Sequence, residues 1–279
     1  MFRRRKKIRI SQIIVNIIIW LLLFIMLYPL AMTFWGAFKN SYTFDTTKWY
    51  PTLPLRVTNL SAALPNIAHY IINTVIVAAV AVTGSVIIAA LAAYAFARLK
   101  FVAKEFLYFC VISLMMIPGV LTLVPSYMIY QKIVGLDNLL ILILPTVVGG
   151  PVFGVFLLRS FYEGLPEAVF ESARIDGARE ITVFAKICMP MSIPIMGTLA
   201  IMQIINVWND YMWPIITIQS DSKLTISAGL IQRFASVSGA PNYPIMFSSY
   251  LLASLPLIIL FVAANKYYVE GLTSSAIKL

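Results

Sequence analysis

Six long apolar stretches constrain this chain more than any other feature of its sequence. They lie at residues 13–34, 71–97, 106–130, 139–158, 191–218 and 247–267. A helix that crosses a bilayer needs about 20 mostly apolar residues. Backbone groups have no water to bond within lipid, so each stretch must be helical there. The sequence therefore predicts an all-α integral membrane protein with six transmembrane helices, forming a single transmembrane domain over residues 1–279.

The composition excludes a soluble domain and a nucleic-acid partner. The chain is 61% hydrophobic and 11% charged, whereas soluble domains carry about 25% charged residues. Its net charge is +10, but the basic residues flank the apolar stretches instead of clustering on one polar face. We therefore expect membrane lipid to surround the chain and no nucleic acid to bind it.

Basic residues also predict how the chain lies in the membrane. With the N-terminus inside, 15 of the 21 Lys and Arg residues fall in cytoplasmic segments and 6 fall in outer loops. This bias follows the positive-inside rule. It predicts a multi-pass protein with both termini and the loop 159–190 in the cytoplasm.

No catalytic or metal-binding constellation is evident in the sequence. The two cysteines, Cys110 and Cys188, have no metal-site or disulfide spacing, and His69 is the single histidine. The chain also lacks the Gly-x-x-x-x-Gly-Lys-[Ser/Thr] motif that cradles ATP phosphates. We therefore expect no catalytic residues, no metal and no bound cofactor, and any energy from ATP must come from another polypeptide.

Small residues and prolines interrupt several of the apolar stretches. The second stretch carries Ser85, Ala89, Ala93 and Ala97 at intervals of four, a pattern that allows another helix to approach closely. The third and fourth stretches contain Pro118, Pro125, Pro145 and the run Gly149–Pro151. Such breaks indicate either irregular packing or a cavity lined by broken helices.

The loop 159–190 is the most charged segment between two apolar stretches. Three glutamates, Glu163, Glu167 and Glu171, lie four residues apart and therefore share one helical face, where like charges repel. This face needs cations from outside the chain. Gly177 predicts a turn between two helices, since glycine adopts positive φ without strain. The loop is interpreted as a docking hairpin for a soluble partner, with an unpartnered, solvated hairpin as the alternative.

The spacing within this loop resembles that of a known family. Glu171-Ser172-Ala173, Gly177, Ile187 and Met189-Pro190 match the Glu-Ala-Ala loop of permease subunits in binding-protein-dependent ABC importers, with Ser172 in place of Ala and Met189 in place of Leu. The segments Arg174–Ala178 and Trp208–Pro214 resemble the carbohydrate branch. The chain is most similar to the smaller, six-span permease of maltose-type pairs.

This resemblance implies a function and a set of partners. It implies a type I ABC importer permease fold in a bacterial inner membrane, and a non-catalytic subunit that forms half of a sugar translocation pathway. The partners are a second homologous permease, two ATP-binding subunits that hold ATP and Mg²⁺, and an extracytoplasmic sugar-binding protein. The loop 163–190 is expected to couple to the ATPases through Glu167, Glu171, Ser172, Ala173, Asp176, Gly177, Ile187 and Pro190.

The fifth stretch carries the candidate substrate pathway. Sugars are bound by hydrogen-bonding side chains together with aromatic faces, and this stretch holds Gln203 and then a polar and aromatic run. The expected pathway residues are Asn206, Trp208, Asn209, Asp210 and Tyr211. The aromatic members equally fit an interfacial belt at the outer face.

Two other functional classes remain open from the residues alone. One is an ion-coupled secondary transporter, although the chain has few intramembrane charges and no symmetric pair of interrupted helices. The other is a membrane docking subunit that moves no solute.

Overall fold

The computed structural model describes residues 10–235 and 241–276, with side chains described as far as residue 264. Within these ranges the chain is helical and has no strand. The basic run 3–9, on which much of the orientation argument depends, lies outside the described residues. The α-helices are α1 Ile10–Ala37, α2 Ser41–Thr46, α3 Thr58–Arg98, α4 Lys104–Ser113, α5 Gly119–Val134, α6 Leu140–Gly149, α7 Pro151–Glu163, α8 Glu167–Ile175, α9 Glu180–Val183, α10 Met189–Met191, α11 Ile193–Asn209, α12 Met212–Thr217, α13 Ile226–Ala235 and α14 Tyr243–Ala276.

Four helical segments of the described chain are long and apolar enough to cross a membrane by themselves. They are α1, α3, the run from α6 through α7, and the first part of α14. The large apolar side chains of α1 are mostly exposed, which fits a helix whose solvent is lipid. The apolar stretches predicted at 13–34 and 71–97 fall within these segments, and those predicted at 139–158 and 247–267 overlap them to within three residues.

The other two predicted stretches are broken. The sequence indicated an interruption at Pro118 in the third stretch, but none in the fifth. The segments Lys104–Met116 and Gly119–Val134 meet at 102°. Pro118 explains this break, because it forces the preceding Ile117 into an extended backbone with φ −81° and ψ 115°.

The stretch at 191–218 contains two breaks. Segments Glu180–Met191 and Ile193–Asn209 meet at 75° around Ser192, and α11 then ends before Asp210, whose backbone is extended. Pro214 lies in the first turn of α12, where its missing N–H costs no helical hydrogen bond. Counting each bent pair as one crossing brings the number of spans to six.

The described chain divides into two compact units. The first comprises the described parts of 1–66 and 236–254, and a buried lysine organises the loop after α1. The Lys39 ammonium donates to the carbonyls of Tyr50, at 2.5 Å, and of Thr47. The Asn59 side chain donates to the carbonyls of Ala37 and Lys39, at 2.8 and 2.7 Å. These bonds hold the loop against the end of α1.

The second unit comprises 67–235 and the described part of 255–279, and its interior depends on a close approach of three helices. A Cβ on Gly154 of α7 would lie 2.7 Å from Ala89 Cβ on α3 and 2.8 Å from Leu199 Cδ2 on α11. Ala89 and Leu199 are fully buried. The small-residue stripe predicted on the second stretch therefore packs here, and a glycine on the neighbouring helix makes the contact possible.

Candidate functional site

The hairpin formed by residues 159–190 has a well-defined turn. Helix α8 begins after Pro166 and ends at Ile175. The N–H of Gly177 donates to Arg174 O and the N–H of Ala178 donates to Ala173 O, both at 3.0 Å. With φ +76° at Gly177, this is a Schellman motif, in which glycine takes the left-handed position. The turn predicted at Gly177 is present.

Arg98, the last residue of α3, ties the start of this hairpin to the membrane helices. Its side chain is 7% exposed and forms an ion pair with Glu167. Its guanidinium also donates to the carbonyls of Tyr162 and, at 2.8 Å, Leu165. The guanidinium carbon lies 4.1 Å from the ring centroid of Phe170, which is fully buried. One side chain thus holds both the approach to α8 and its first turn.

A second set of contacts connects the two arms of the hairpin to α3. The Arg174 guanidinium donates to Glu167 at 3.2 Å and to Glu180 at 2.9 Å. The Tyr94 hydroxyl of α3 donates to Glu180 at 2.6 Å. These residues form a continuous chain of charge-assisted bonds with Arg98 at one end and Tyr94 at the other.

The three glutamates that share a face have different environments, which the sequence argument did not foresee. Glu163 pairs with Arg159 at 2.7 Å, and Glu167 pairs with Arg98 and Arg174. Among the described residues, Glu171 alone of the three has no ion-pair partner, and it is exposed. The need for a cation from outside the chain is therefore restricted to Glu171.

Most of the predicted coupling residues lie on or directly after α8. Glu171, Ser172, Asp176 and Gly177 are exposed, Ala173 and Ile187 are half-buried, and Pro190 is exposed in α10. Sequence reasoning missed Ile175 and Ile181, whose side chains are 85% and 65% exposed. Two isoleucines within so charged a segment could have been recognised as candidate contact residues, because exposed apolar side chains favour a contact that removes them from water.

A cleft whose mostly apolar lining includes a few polar side chains lies beside α11. It consists of two adjoining cavities of about 310 and 670 Å³, which share Gly150, Gln203 and Asn206 in their linings. Asp210 lines the smaller cavity and Phe153 the larger one. Both volumes are within the range of small-molecule sites, about 300–1,000 Å³.

Helical spacing explains why these polar groups converge. Gln203, Asn206 and Asp210 follow one another at intervals of three and four residues, so they lie on one face of α11 and its end. The Gln203 amide donates to Gly150 O at 3.3 Å, at the junction of α6 and α7.

The structure brings only part of the predicted substrate pathway to this cleft. Asn206 and Asp210 line it. Trp208 is buried, Asn209 donates to Ile205 O of its own helix at 2.9 Å, and Tyr211 is 46% exposed. Those three line neither cavity, so the aromatic part of the prediction has no counterpart in the cleft apart from Phe153.

The long apolar helices and the cleft beside α11 are typical of a polytopic membrane transport protein. A family model described as "Binding-protein-dependent transport system inner membrane component" matches residues 85–274. The chain belongs to this family. It is a non-catalytic, multi-pass permease component of an ABC importer, which works with an ATPase and a substrate-binding protein.

Curated relatives agree with this assignment. A probable ABC transporter permease of Bacillus subtilis, YurM, is 33% identical over 98% of this chain and 91% of its own length. The arabinooligosaccharide permease AraQ of Halalkalibacterium halodurans is 30% identical over 74% of this chain and 72% of its own. The maltodextrin permease MdxG of Bacillus subtilis is 28% identical over 96% of this chain and 97% of its own length.

A solved structure supports the fold independently. It comes from a bacterial ABC transporter involved in import of the acidic polysaccharide alginate, and superposes with a TM-score of 0.84. The match covers 96% of this chain and all of the other chain, at 17% identity. This structure shows the shared fold, and the family model and the relatives confirm the predicted resemblance to ABC importer permeases.

Proposed function

We propose that this chain is a transmembrane subunit of an ATP-driven, binding-protein-dependent sugar importer and forms half of its translocation pathway. The sugar class is supported by relatives named for arabinooligosaccharide and maltodextrin transport. Family membership favours this function over an ion-coupled secondary transporter or a docking subunit that moves no solute. Uptake into vesicles that required an ion gradient and no ATP would support the secondary transporter instead.

The proposed topology follows the type I importer fold. Residues 1–279 form one transmembrane domain with six crossings, and each bent pair counts as one of them. Both termini and the loop 159–190 lie on the cytoplasmic side of a bacterial inner membrane. The positive-inside bias and the family description support this arrangement.

The proposed assembly contains a second homologous permease, two ATPase subunits that bind ATP and Mg²⁺, and an extracytoplasmic sugar-binding protein. The hairpin would dock on an ATPase through Glu171, Ser172, Ala173 and Asp176, with Gly177, Ile187 and Pro190 shaping its far arm. The observation that carries this proposal is the exposed, unpaired Glu171 beside the exposed Ile175. A carboxylate and an apolar side chain together fit a cleft with a basic rim.

Glu167 has a different role in this proposal. Its carboxylate is engaged by Arg98 and Arg174, so it supports docking by fixing the first turn of α8. The remaining predicted residues, Asn206 and Asp210 with Trp208, Asn209 and Tyr211, are proposed to lie along the substrate path. For the first two, their position on the cleft supports this role.

Charge reversal at the hairpin tests the docking proposal. Glu171→Lys is expected to abolish sugar-stimulated ATP hydrolysis by the assembled complex, because it opposes a basic cleft with another cation. Lys100→Glu, also an exposed charge reversal, is the matched control and should retain stimulation. Normal stimulation in Glu171→Lys would contradict the proposal.

A further inference from the structure

The loop that follows α1 exposes a run of large apolar side chains. Within the segment 49–57, five such side chains are each more than half exposed: Trp49, Tyr50, Leu53, Leu55 and Val57. Leu53 is the most exposed of them, at 84%. A contiguous apolar run of this kind marks a surface that contacts another apolar body, because its exposure to water costs free energy.

Hydrogen bonds to α1 determine where this segment lies. The Tyr28 hydroxyl donates to Trp49 O at 2.7 Å. The N–H of Arg56 donates to Phe38 O, directly after the end of α1, at 2.7 Å. A helix rises about 1.5 Å per residue, so Tyr28 lies about 13 Å before the last residue of α1. The chain therefore folds back beside the last turns of α1 and returns to its end, instead of projecting beyond it.

The neighbouring surfaces are apolar as well. Leu30 and Phe34, in the same turns of α1, are 66% and 57% exposed and lie within the predicted span 13–34. At the other end of the segment, a cavity of about 400 Å³ with a mainly apolar wall is lined by Val57, Leu60 and Leu252, among others. The exposed run thus adjoins a helix surface whose solvent is lipid.

The backbone of the segment has a reduced need for water. Pro51 and Pro54 have no N–H that requires an acceptor. The carbonyl of Trp49 is bonded to α1, and that of Tyr50 accepts from the buried Lys39 ammonium at 2.5 Å. Each of these features lowers the cost of moving the segment out of bulk water.

The charges around the segment favour a membrane surface over a protein partner. No acidic residue occurs between Asp45 and Glu105, whereas Lys48 and Arg56 lie beside and within the run. Long basic side chains reach the headgroup region while their stems stay apolar, and Trp and Tyr are enriched at the same boundary. Apolar and basic residues together are typical of segments that lie in the plane of a membrane interface.

We propose that the segment 49–57 is embedded in the boundary between phospholipid headgroups and acyl chains, where the Tyr28 hydroxyl holds it against α1. In the proposed topology this boundary belongs to the outer leaflet. Helix α1 has 28 residues and is about 42 Å long, whereas the hydrocarbon core is about 30 Å thick. Its length alone therefore does not fix its depth, and an interfacial anchor at its outer end does.

The test uses the assembled transporter in phospholipid vesicles, with single spin-labelled cysteines in a background that lacks the two native ones. Leu53→Cys reports on the segment. Phe24→Cys, at an exposed site further along α1, is the lipid reference, and Ser222→Cys, between two charged residues, is the aqueous reference. The collision rate of each label is measured with O₂, which concentrates in hydrocarbon, and with a water-soluble nickel chelate.

The label at Leu53 is expected to collide readily with O₂ and rarely with the nickel chelate, as the label at Phe24 does. Addition of the binding protein should leave both rates unchanged. Tyr28→Phe removes one hydrogen bond and should raise the share of a water-exposed position roughly 2- to 10-fold, and nickel collisions at Leu53 with it. Tyr42→Phe, at an exposed tyrosine of α2, is the matched control and should leave them as they are.

Three other results would overturn the proposal. Nickel collisions at Leu53 equal to those at Ser222 would show an aqueous loop. Loss of both kinds of collision would show that a protein covers the segment, and this protein is the binding protein if the loss occurs only on its addition. Equal nickel collisions in Tyr28→Phe and its parent would show that this hydroxyl does not hold the segment against α1. Each result leaves the proposed importer intact, because none of these measurements depends on sugar transport.

Discussion

At the scale of single residues, Arg98 determines how firmly the hairpin of residues 159–190 is attached to the end of α3. Its guanidinium is nearly buried and bonds Glu167 and two carbonyls. Arg98→Gln would leave the Glu167 carboxylate, which is half exposed, with Arg174 as its remaining cation. Because Glu167 is partly solvated, we expect a local loss of about 2 kcal/mol, below the usual cost of breaking a fully buried pair.

Hydrogen exchange of the α8 amides in lipid nanodiscs measures this loss. About 2 kcal/mol corresponds to a roughly 30-fold drop in protection of α8. Arg179→Gln, which removes an exposed arginine of the same hairpin, should leave protection of α8 unchanged. Equal protection in Arg98→Gln and the wild type would mean that the contacts around Arg98 do not hold α8.

Asp137, in the loop before α6, accepts hydrogen bonds from the loop after α12. Its environment predicts how this contact between the two loops responds to acid. Hydrogen bonds from the Ser220 hydroxyl and N–H, from the Lys223 ammonium and from the Gln219 N–H hold the pKa of Asp137 below its ordinary value. A lowered pKa in the folded state means that this carboxylate stabilises the fold above about pH 4, the ordinary range for Asp. The stabilisation is lost as the pH falls further.

The comparison of wild type with Asp137→Asn isolates this effect. The wild type is expected to have the higher unfolding midpoint at pH 7, and the difference should shrink progressively below about pH 4. Thermal unfolding of the purified protein between pH 7 and pH 3 measures it, with Asp45→Asn as a control for loss of an exposed carboxylate. A difference that stayed constant with pH would show that the charge of Asp137 is not involved.

At the scale of helices, the contact at Gly154 determines how closely α3, α7 and α11 approach. Gly154→Ala would place a Cβ 2.7 Å from that of Ala89, and overpacking of this kind costs about 1–3 kcal/mol. Combining it with Ala89→Gly removes one of the two clashes and should recover part of the loss. The Leu199 methyl, at 2.8 Å, has to rotate away in either case.

Gly149→Ala is the matched control for this prediction, since nothing lies within 4 Å of its added Cβ. It should be neutral or slightly stabilising, because alanine loses less backbone entropy than glycine. Unfolding midpoints of the wild type and the three variants in the same detergent test the packing. If Gly154→Ala were as stable as Gly149→Ala, the three helices would not pack as tightly as described.

The helices also show what sequence reasoning predicts well and what it does not. The apolar stretches and the turn at Gly177 depend on local composition and backbone preference, so they were predictable. The breaks at Ser192 and Asp210 were not identified, because a mean apolar content does not reveal where a helix ends. The pairing of Arg98 with Glu167 joins residues 69 positions apart, and no local pattern indicates such a contact.

At the scale of the whole molecule, the functional class was predictable for a different reason. The spacing of Glu171, Gly177 and Pro190 belongs to a segment that has to fit another protein, so its residue types are constrained together. The substrate cleft has no such signature. Gln203 and Gly150 meet through the packing of separate helices, and only the structure brings them together.

The number of membrane crossings is the remaining question at this scale, because two of the six depend on bent helix pairs. A bent pair that crosses the membrane places its two ends on opposite sides, whereas a re-entrant pair returns to the same side. A single cysteine at Val102 precedes the first pair and one at Lys132 lies in its last turn, while cysteines at Ser172 and Ser222 flank the second. Both native cysteines are replaced in the background.

Membrane-impermeant maleimide applied to inside-out and right-side-out vesicles distinguishes these cases. The proposed topology predicts that Val102→Cys and Ser172→Cys react only in inside-out vesicles, and that Lys132→Cys and Ser222→Cys react only in right-side-out vesicles. The positive-inside bias requires this assignment, since the hairpin carries Arg159, Arg174, Arg179 and Lys186. If both cysteines around one pair reacted from the same side, that pair would be a re-entrant loop. If the first pair is re-entrant, the hairpin lies across the membrane from the N-terminus, and docking of an ATPase there requires the opposite orientation of the chain. If the second pair is re-entrant, the hairpin stays on the side of the N-terminus and the C-terminus lies on the other side.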